Sequence, residues 1–166
     1  MLLFINCSKD DNNEIQTTGD TFYTVMVGDE TIEFDEEEIS ASSFLLVNGI
    51  LLTDISGGYE VGAKSINISL ANITSIGTYT LLDPEAIINL DQTTSHVSLC
   101  TYSDRQTEWV STRAFQDTRA TTVTITELND NYIAGSFSFI GGDFSDLSLN
   151  PVPQKTITGS FKAKID

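Results

Sequence analysis

Alternation of apolar and polar residues is the feature that most restricts how this chain can fold. In several segments every second residue is apolar or glycine, and the residues that alternate with them are mostly Thr, Ser, Asn or Lys. The clearest segments are 66–70, 122–126, 133–139 and 157–165. A period of two places one row of side chains in a core and the next in solvent, which is the pattern of a half-buried β-strand. The abundance of Thr, Ile, Val and Phe in these segments suits a pleated sheet.

Turn residues separate the predicted strands. Asn48-Gly49 lies between two apolar runs, and a two-residue Asn-Gly loop flanked by strand formers is a strong hairpin signal. Pro151 and Pro153 precede the last strand, where a missing N–H removes no ladder bond. Further turns are predicted at Gly28-Asp29, Gly57-Gly58 and Asn129-Asp130-Asn131.

The predicted fold is all-β, with about eight to ten strands arranged as an antiparallel sandwich or a flattened barrel. Hydrophobic residues make up 40% of the chain, enough for a core. The segment 83–88 could form a single helical turn, with Asp83 as its cap and Pro84 at its first position. Because no linker interrupts 21–166, we expect one domain there.

The net charge of -16 excludes a nucleic-acid binder, which must supply positive charge to phosphates. Residues 1–60 hold 13 acidic residues and one base, which leaves -12, while 61–166 hold 11 acidic and 7 basic residues, which leaves -4. The densest acidic run is Asp35, Glu36, Glu37 and Glu38. Such a run favours a solvated loop or strand end, and it is also a candidate patch for a cation or a basic partner.

The N-terminus has the layout of a bacterial lipoprotein signal. An apolar run, Met1 to Asn6, ends at Cys7, and the residues that follow are polar and rich in acids. Lipid is attached through sulfur, so Cys7 is the predicted lipidation site, with a signal remnant at 1–7 and a flexible tether at 8–20. Since Cys100 is the only other cysteine, no internal disulfide is expected.

The triplet after Cys7 carries a more specific resemblance. Lys9, Asp10 and Asp11 resemble the export signal of Bacteroidota lipoproteins, in which a Lys and two acidic residues follow the lipidated Cys. This resemblance implies a fatty-acylated protein, such as a palmitate-bearing one, on the extracellular face of the outer membrane.

The order of motifs over 65–161 also resembles a family of Bacteroidota lipoproteins whose β-rich domain has no known function. The motifs are Gly77-Thr78-Tyr79, the Thr/Ile strand 122–126, Gly135-Ser136-Phe137-Ser138-Phe139 and Ile157-Thr158-Gly159-Ser160-Phe161. The chain departs from the family pattern at Thr121-Thr122, where a Gly often begins the strand. The resemblance implies a fold and a location but no reaction.

No catalytic residue is assigned. His96, the only histidine, and Cys100 are expected on one face of a strand but about 13 Å apart at ~3.3 Å per residue, too far for a dyad. A carbohydrate-active enzyme would need two carboxylates at a suitable separation. Candidates for such a pair are Glu33, Asp35, Glu60, Glu108 and Glu127.

No cofactor or metal site is predicted. Calcium is possible but unsupported, since the suggestive segments 129–131 and 141–146 are equally well explained as Asx turns. Trp109 and Phe144 are candidates for exposed aromatic contacts, with Tyr59 and Tyr102 as further members of a platform, although a single Trp is commonly a core residue.

The sequence therefore predicts a non-enzymatic, lipid-anchored β-domain that acts as a binding or accessory module at the cell surface, with a protein or a glycan as its candidate partner and no more specific role. Two alternatives stay open. One is a calycin-like barrel that carries a small apolar ligand in its interior, and the other is the carbohydrate-active enzyme with paired carboxylates.

Overall fold

In the computed structural model, which describes residues 21–46, 49–58, 63–81, 93–111, 120–145 and 151–166, the chain is all-β. Eleven strands form one antiparallel sheet that is nearly closed into a barrel. In chain order they are β1 Phe22–Val27, β2 Glu30–Phe34, β3 Ile39–Leu45, β4 Leu51–Gly57, β5 Ser65–Ala71, β6 Gly77–Thr80, β7 His96–Ser103, β8 Glu108–Val110, β9 Thr122–Leu128, β10 Tyr132–Asp143 and β11 Gln154–Lys164. The predicted all-β antiparallel class is confirmed.

Strand β11 organises the sheet because it has neighbours along its whole length. It pairs with β10 on one side and with β1 on the other. Past Phe22, the first residue of β1, Ile165 forms a parallel bridge to Ala41 of β3. The sheet order is β2-β1-β11-β10-β8-β7-β5-β4-β3, and β9 pairs with both β10 and β6. This bridge joins β3, the last strand of the order, to the chain directly after β11, which is the third strand from the other end.

The two Gly-Ser-Phe segments of the sequence are direct partners across β10 and β11. Gly135 lies opposite Phe161, and Gly159 lies opposite Phe137. The ring centroids of Phe137 and Phe161 are 6.5 Å apart, and each ring lies within 6 Å of Tyr23 on β1. There is no space for a side chain at Gly159, because a Cβ there would come within 2.2 Å of the Thr24 carbonyl oxygen and 2.6 Å of the Phe137 ring.

The hairpin predicted at Asn48-Gly49 is present, but its register differs by one residue. Leu45 pairs with Leu51, and the Leu46 N–H donates to the Ile50 carbonyl at 2.8 Å. This pairing encloses residues 47–49, whereas a two-residue loop would have paired 47 with 50. Gly49 has a φ of +84°, as the left-handed position of a three-residue hairpin loop requires. Residues 47 and 48 themselves lie outside the described ranges.

The other predicted turns have mixed outcomes. The β1–β2 turn is at Gly28-Asp29, and Gly28 has a φ of +63°. Asn129 accepts hydrogen bonds from the N–H groups of Asn131 and Tyr132, which closes the β9–β10 turn. The helical turn predicted at 83–88 falls outside the described residues.

The predicted shared face of His96 and Cys100 is wrong. The register of β5 and β7 shifts between Ser69 and Leu70, so inward-facing residues change parity along β7 from Val97 to Cys100. Cys100 is fully buried, while His96 is partly exposed. Burial raises the pKa of the Cys100 thiol to about 12, although a hydrogen bond with Ser111 acts in the opposite direction. The thiol is therefore protonated and a poor nucleophile.

The Gly-Phe contact across β10 and β11 gives a stability prediction. Replacement of Gly159 by Ala should lower the free energy of unfolding by about 1–3 kcal/mol, because the added methyl overlaps backbone and ring atoms that are held by two neighbouring strands. Urea denaturation checks this. The matched control is Ser160→Ala, one residue along the strand, and equal losses for the two variants would contradict the prediction.

Candidate functional site

A cleft of about 330 Å³ opens at the end of the sheet where β1 and β7 finish and β11 begins. The β1–β2 turn contributes Val27, Gly28 and Glu30, the end of β7 contributes Tyr102 and Asp104, and the start of β11 contributes Lys155 and Thr156. We call this the Asp104 cleft. Its volume lies at the lower end of the range of small-molecule sites in proteins.

Asp104 is the best-connected residue of the cleft. Its Oδ2 accepts hydrogen bonds from the Trp109 indole N–H at 3.1 Å and from the Lys155 ammonium at 3.0 Å. Its Oδ1 accepts from the backbone N–H of Thr107 at 3.0 Å, which ties down the loop that follows β7. Burial by itself raises the pKa of the Asp104 carboxyl, but the hydrogen bonds from Lys155, Trp109 and Thr107 outweigh burial and leave this pKa below its ordinary value.

Lys155 packs against the ring of Trp109 beside Asp104. The ammonium of Lys155 lies 4.2 Å from the centroid of the Trp109 ring, in position for a cation–π interaction. Cβ of Trp109 would be only 2.7 Å from a Cβ at Gly141, so a glycine at that position on β10 lets the Trp lie close to the strand. Asp104, Trp109 and Lys155 thus form one connected group drawn from three separate strands or strand ends, and Asp104 and Lys155 of this group line the cleft.

The opposite side of the cleft has a second carboxylate with its own cation. Glu30 forms an ion pair with Lys64. The pKa of the Tyr102 phenol is raised to about 12, first by burial and then by the nearby carboxylates of Glu30 and Asp104. The phenol therefore stays protonated and can donate a hydrogen bond at any physiological pH. Each carboxylate of the cleft is balanced by a lysine, so the cleft is close to neutral in charge.

The loop after β7 contains a backbone conformation that side chains rarely adopt. Arg105, directly after Asp104, has a φ of +81°. A left-handed conformation costs a non-glycine residue about 1–2 kcal/mol, and it persists where the surroundings fix it. Here the hydrogen bonds of Asp104 to Gln106 and Thr107 close the loop over Arg105.

The structure places the two predicted aromatic contacts differently. Trp109 is only 6% exposed, because its indole packs under Lys155 and donates to Asp104. Phe144 is 50% exposed, at the end of β10, in a turn where Asp143 Oδ1 accepts from the Ser145 N–H. The expectation of an exposed ring thus fits Phe144 and not Trp109, while Tyr59 lies outside the described residues.

The acidic run follows β2 as a short 3₁₀ helix, Glu36–Glu38. Asp35, Glu36 and Glu37 are exposed, and a Glu38 carboxylate oxygen accepts from the Asp35 N–H at 3.0 Å. Within the described ranges, no group of three or more His, Cys, Asp or Glu side chains is arranged to hold a metal ion. The acidic run is therefore a solvated turn in this structure, and it does not line the Asp104 cleft.

The carboxylates considered from the sequence that fall in the described ranges do not line the Asp104 cleft. Glu33 and Asp35 are exposed on and after β2, Glu108 is exposed on β8, and Glu127 on β9 pairs with Lys162 at 3.0 Å. Glu60 and the N-terminal residues Cys7, Lys9, Asp10 and Asp11 lie outside the described ranges. The acids that the cleft does bring together, Glu30 and Asp104, were not predicted. Their only sequence signal is a position next to a turn, which many acids of this chain share.

Comparison of the chain with protein-family models, with curated proteins and with solved structures finds no match. The resemblance to Bacteroidota lipoproteins therefore stays a prediction. No helix in the described part of the chain has the length and hydropathy needed to cross a bilayer.

The hydrogen bonds of Asp104 predict a pH-dependent contribution to stability. Because its folded-state pKa is lowered, the carboxylate stabilises the fold fully above its unfolded-state pKa of about 3.9, and this contribution is lost as pH falls through the lower folded-state value. Asp104→Asn should therefore cost about 1–2 kcal/mol of unfolding free energy at pH 7, and the difference from the wild type should shrink below about pH 4. Urea denaturation from pH 7 to pH 2.5 measures it. A difference that does not change with pH would contradict the role given to the charge.

Proposed function

We propose that this protein is a lipid-anchored cell-surface β-domain that binds a neutral, hydroxyl-rich ligand, a glycan, in the Asp104 cleft. The observation that carries the proposal is the composition of the cleft. It combines acceptors at Glu30 and Asp104, hydroxyls at Tyr102 and Thr156, and an apolar side chain at Val27, with both carboxylates balanced by lysines. Sugar hydroxyls both donate and accept hydrogen bonds, and such a lining matches them.

The ionisation of Asp104 suits a binding role better than that of a proton donor in hydrolysis. A glycosidase that uses paired carboxylates needs one of them to keep its proton at working pH, which requires a raised pKa. The pKa of Asp104 is lowered instead, and its oxygens already accept hydrogen bonds from Lys155, Trp109 and Thr107. Such a carboxylate suits the role of a fixed acceptor for a ligand hydroxyl.

The interior around Tyr23 supports placing the ligand in the cleft and not inside the barrel. Tyr23 contacts Phe34, Phe137 and Phe161 with centroid distances of 5.7 to 5.9 Å. These rings occupy the part of the interior that the structure describes near β1, β10 and β11. A carrier of an apolar molecule would need that volume empty in the described core.

Binding at the cleft is tested with an array of neutral oligosaccharides, followed by calorimetry on the oligosaccharide that binds best. Glu30→Gln should weaken binding about tenfold, because it removes a charged acceptor and leaves Lys64 without its partner. Glu33→Gln is the matched control, since Glu33 is an exposed acid of the same strand that does not line the cleft, and it should bind like the wild type.

Two outcomes would overturn this part of the proposal. One is that no neutral oligosaccharide binds, and the other is that Glu30→Gln and Glu33→Gln bind equally well. Release of reducing sugar from the bound oligosaccharide would instead favour the enzyme alternative.

The lipid anchor is supported by the position of Cys7, by the polar tether after it and by the Lys9-Asp10-Asp11 triplet. In a host that processes bacterial lipoproteins, mass spectrometry should find Cys7 at the mature N-terminus with fatty acyl groups attached. The Cys7→Ser variant should lack them. An unmodified Cys7 in a processing-competent host would refute the anchor, and this result would leave the test of the cleft unaffected.

A further inference from the structure

An apolar surface lies at the tip of the β3–β4 hairpin. It consists of Phe44, Leu45 and Leu46 at the end of β3 and of Leu51 and Leu52 at the start of β4, and we call it the apolar tip. Leu45 is 70% exposed and Phe44 is 44% exposed. A globular domain gains nothing from leaving such side chains in water, so they point to a partner phase or molecule.

The tip is apolar on both faces of the hairpin. Leu45 pairs with Leu51 on one face, and Phe44 pairs with Leu52 on the other. A flat protein partner, including a second copy of this chain, would cover one face and leave the other in water. A lipid interface surrounds an inserted tip on all sides, and it is the environment that fits both faces.

Charge distribution favours the same partner. The chain carries a net charge of -16, yet no charged residue occurs from residue 39 to residue 53. Next to β3, Ile165 bridges to Ala41, and the neighbouring Lys164 is exposed. Its register partner Tyr132 has Lys162 at 4.9 Å from its ring. These residues lie near the level of Ala41, four residue steps or about 13 Å from Leu45 at ~3.3 Å per residue. The exposed Asp166 is also here, since its N–H donates to the Ala41 carbonyl. Tyrosine and lysine at this distance from an apolar tip are residue types found at the headgroup level of bilayers.

Backbone hydrogen bonding permits shallow insertion. The N–H of Leu46 donates to the Ile50 carbonyl, the N–H of Gly49 donates to the Leu46 carbonyl, and the N–H of Leu51 donates to Asn72 Oδ1 at 3.0 Å. These backbone groups on the two sides of the turn are thus satisfied within the protein. Among the described residues, β4 is the only ladder partner of β3 beyond Ala41, so the outer edge of β3 limits the depth to the interfacial region.

We propose that the apolar tip inserts into the interfacial region of a phospholipid bilayer. Strand directions then fix how the domain stands. Strands β3 and β11 run parallel toward the membrane and β1 runs away from it, so the cleft, at the end of β1 and the start of β11, faces outward. The separation along β11 from Lys155 to Ile165 is about 33 Å at ~3.3 Å per residue.

The predicted tether reaches the same membrane. From Phe22, which lies opposite Lys162, the tip is three residue steps along β11 and four along β3, or about 23 Å. The chain from Cys7 to Thr21 can span up to about 50 Å when extended. The acyl anchor and the tip can therefore occupy one leaflet. Only this shared leaflet rests on the proposed lipid anchor, whereas insertion of the tip and the outward orientation of the cleft do not.

Vesicle binding by the full 166-residue chain with Cys7→Ser tests insertion without an acyl group. The probe is a phosphatidylcholine vesicle, and the protein should co-float with it. Leu45→Asp should reduce the bound fraction at least about tenfold, since one large apolar contact is lost and a charge is added. Met26→Asp is the matched control, because Met26 is 47% exposed on β1, away from the tip, and it should bind like the parent chain.

A fluorescence measurement locates the contact. Leu45→Cys in the Cys7→Ser chain can be labelled selectively with an environment-sensitive dye, because Cys100 is buried and protonated. Emission should shift to the blue on addition of vesicles, and a label at Met26→Cys should not shift. Co-flotation of Leu45→Asp equal to that of the parent chain would overturn the proposal, as would sedimentation showing a dimer that Leu45→Asp dissociates. Loss of Cys7 acylation in the separate experiment would remove the anchor and leave this result standing.

Discussion

The mutual packing of two Gly-Ser-Phe segments across β10 and β11 is the contact on which the rest of the sheet depends. Each phenylalanine lies opposite the other segment's glycine, and Tyr23 of β1 packs against both rings. Because glycine brings the strands close and the rings fill the space above it, the registers of β1, β10 and β11 are fixed relative to one another. A shift of one residue in a strand would move its inward-facing rings, such as Tyr23, Phe137 or Phe161, to the solvent face.

The position of β11 determines the positions of the Asp104 cleft and of the apolar tip. Its first residues contribute Lys155 and Thr156 to the Asp104 cleft, while Ile165, just beyond its last residue, holds β3 and so orients the apolar tip. The two surfaces to which we assign functions are thus joined by a single strand and lie at opposite ends of it. A rigid element of this kind holds a ligand site at a fixed distance from a membrane, which a tether alone cannot do.

The sequence predicts local features of this fold better than features that depend on distant residues. Alternation identifies the strands at 122–126, 133–139 and 157–165, because burial of one face is encoded residue by residue. The register shift opposite Leu70 changes which residues of β7 face inward, and no local pattern marks it. The same limit applies to the cleft. Asp104, Trp109 and Lys155 meet only because β7, β8 and β11 finish or begin at one end of the sheet, and a single sequence does not specify that topology.

The Asp104 cleft and the apolar tip are both close to neutral in charge, but for different reasons, and the two surfaces therefore suit different kinds of ligand. In the cleft, Glu30 and Asp104 form ion pairs with Lys64 and Lys155, so carboxylate acceptors for directional hydrogen bonds are present without a large net charge. At the tip, charge is absent altogether, and attraction can come only from burial of apolar area. The acids exposed on the 3₁₀ helix lie at neither surface. The net charge of -16 is therefore no guide to either surface, and the recognition that we propose at the two ends relies on short-range contacts instead of long-range attraction.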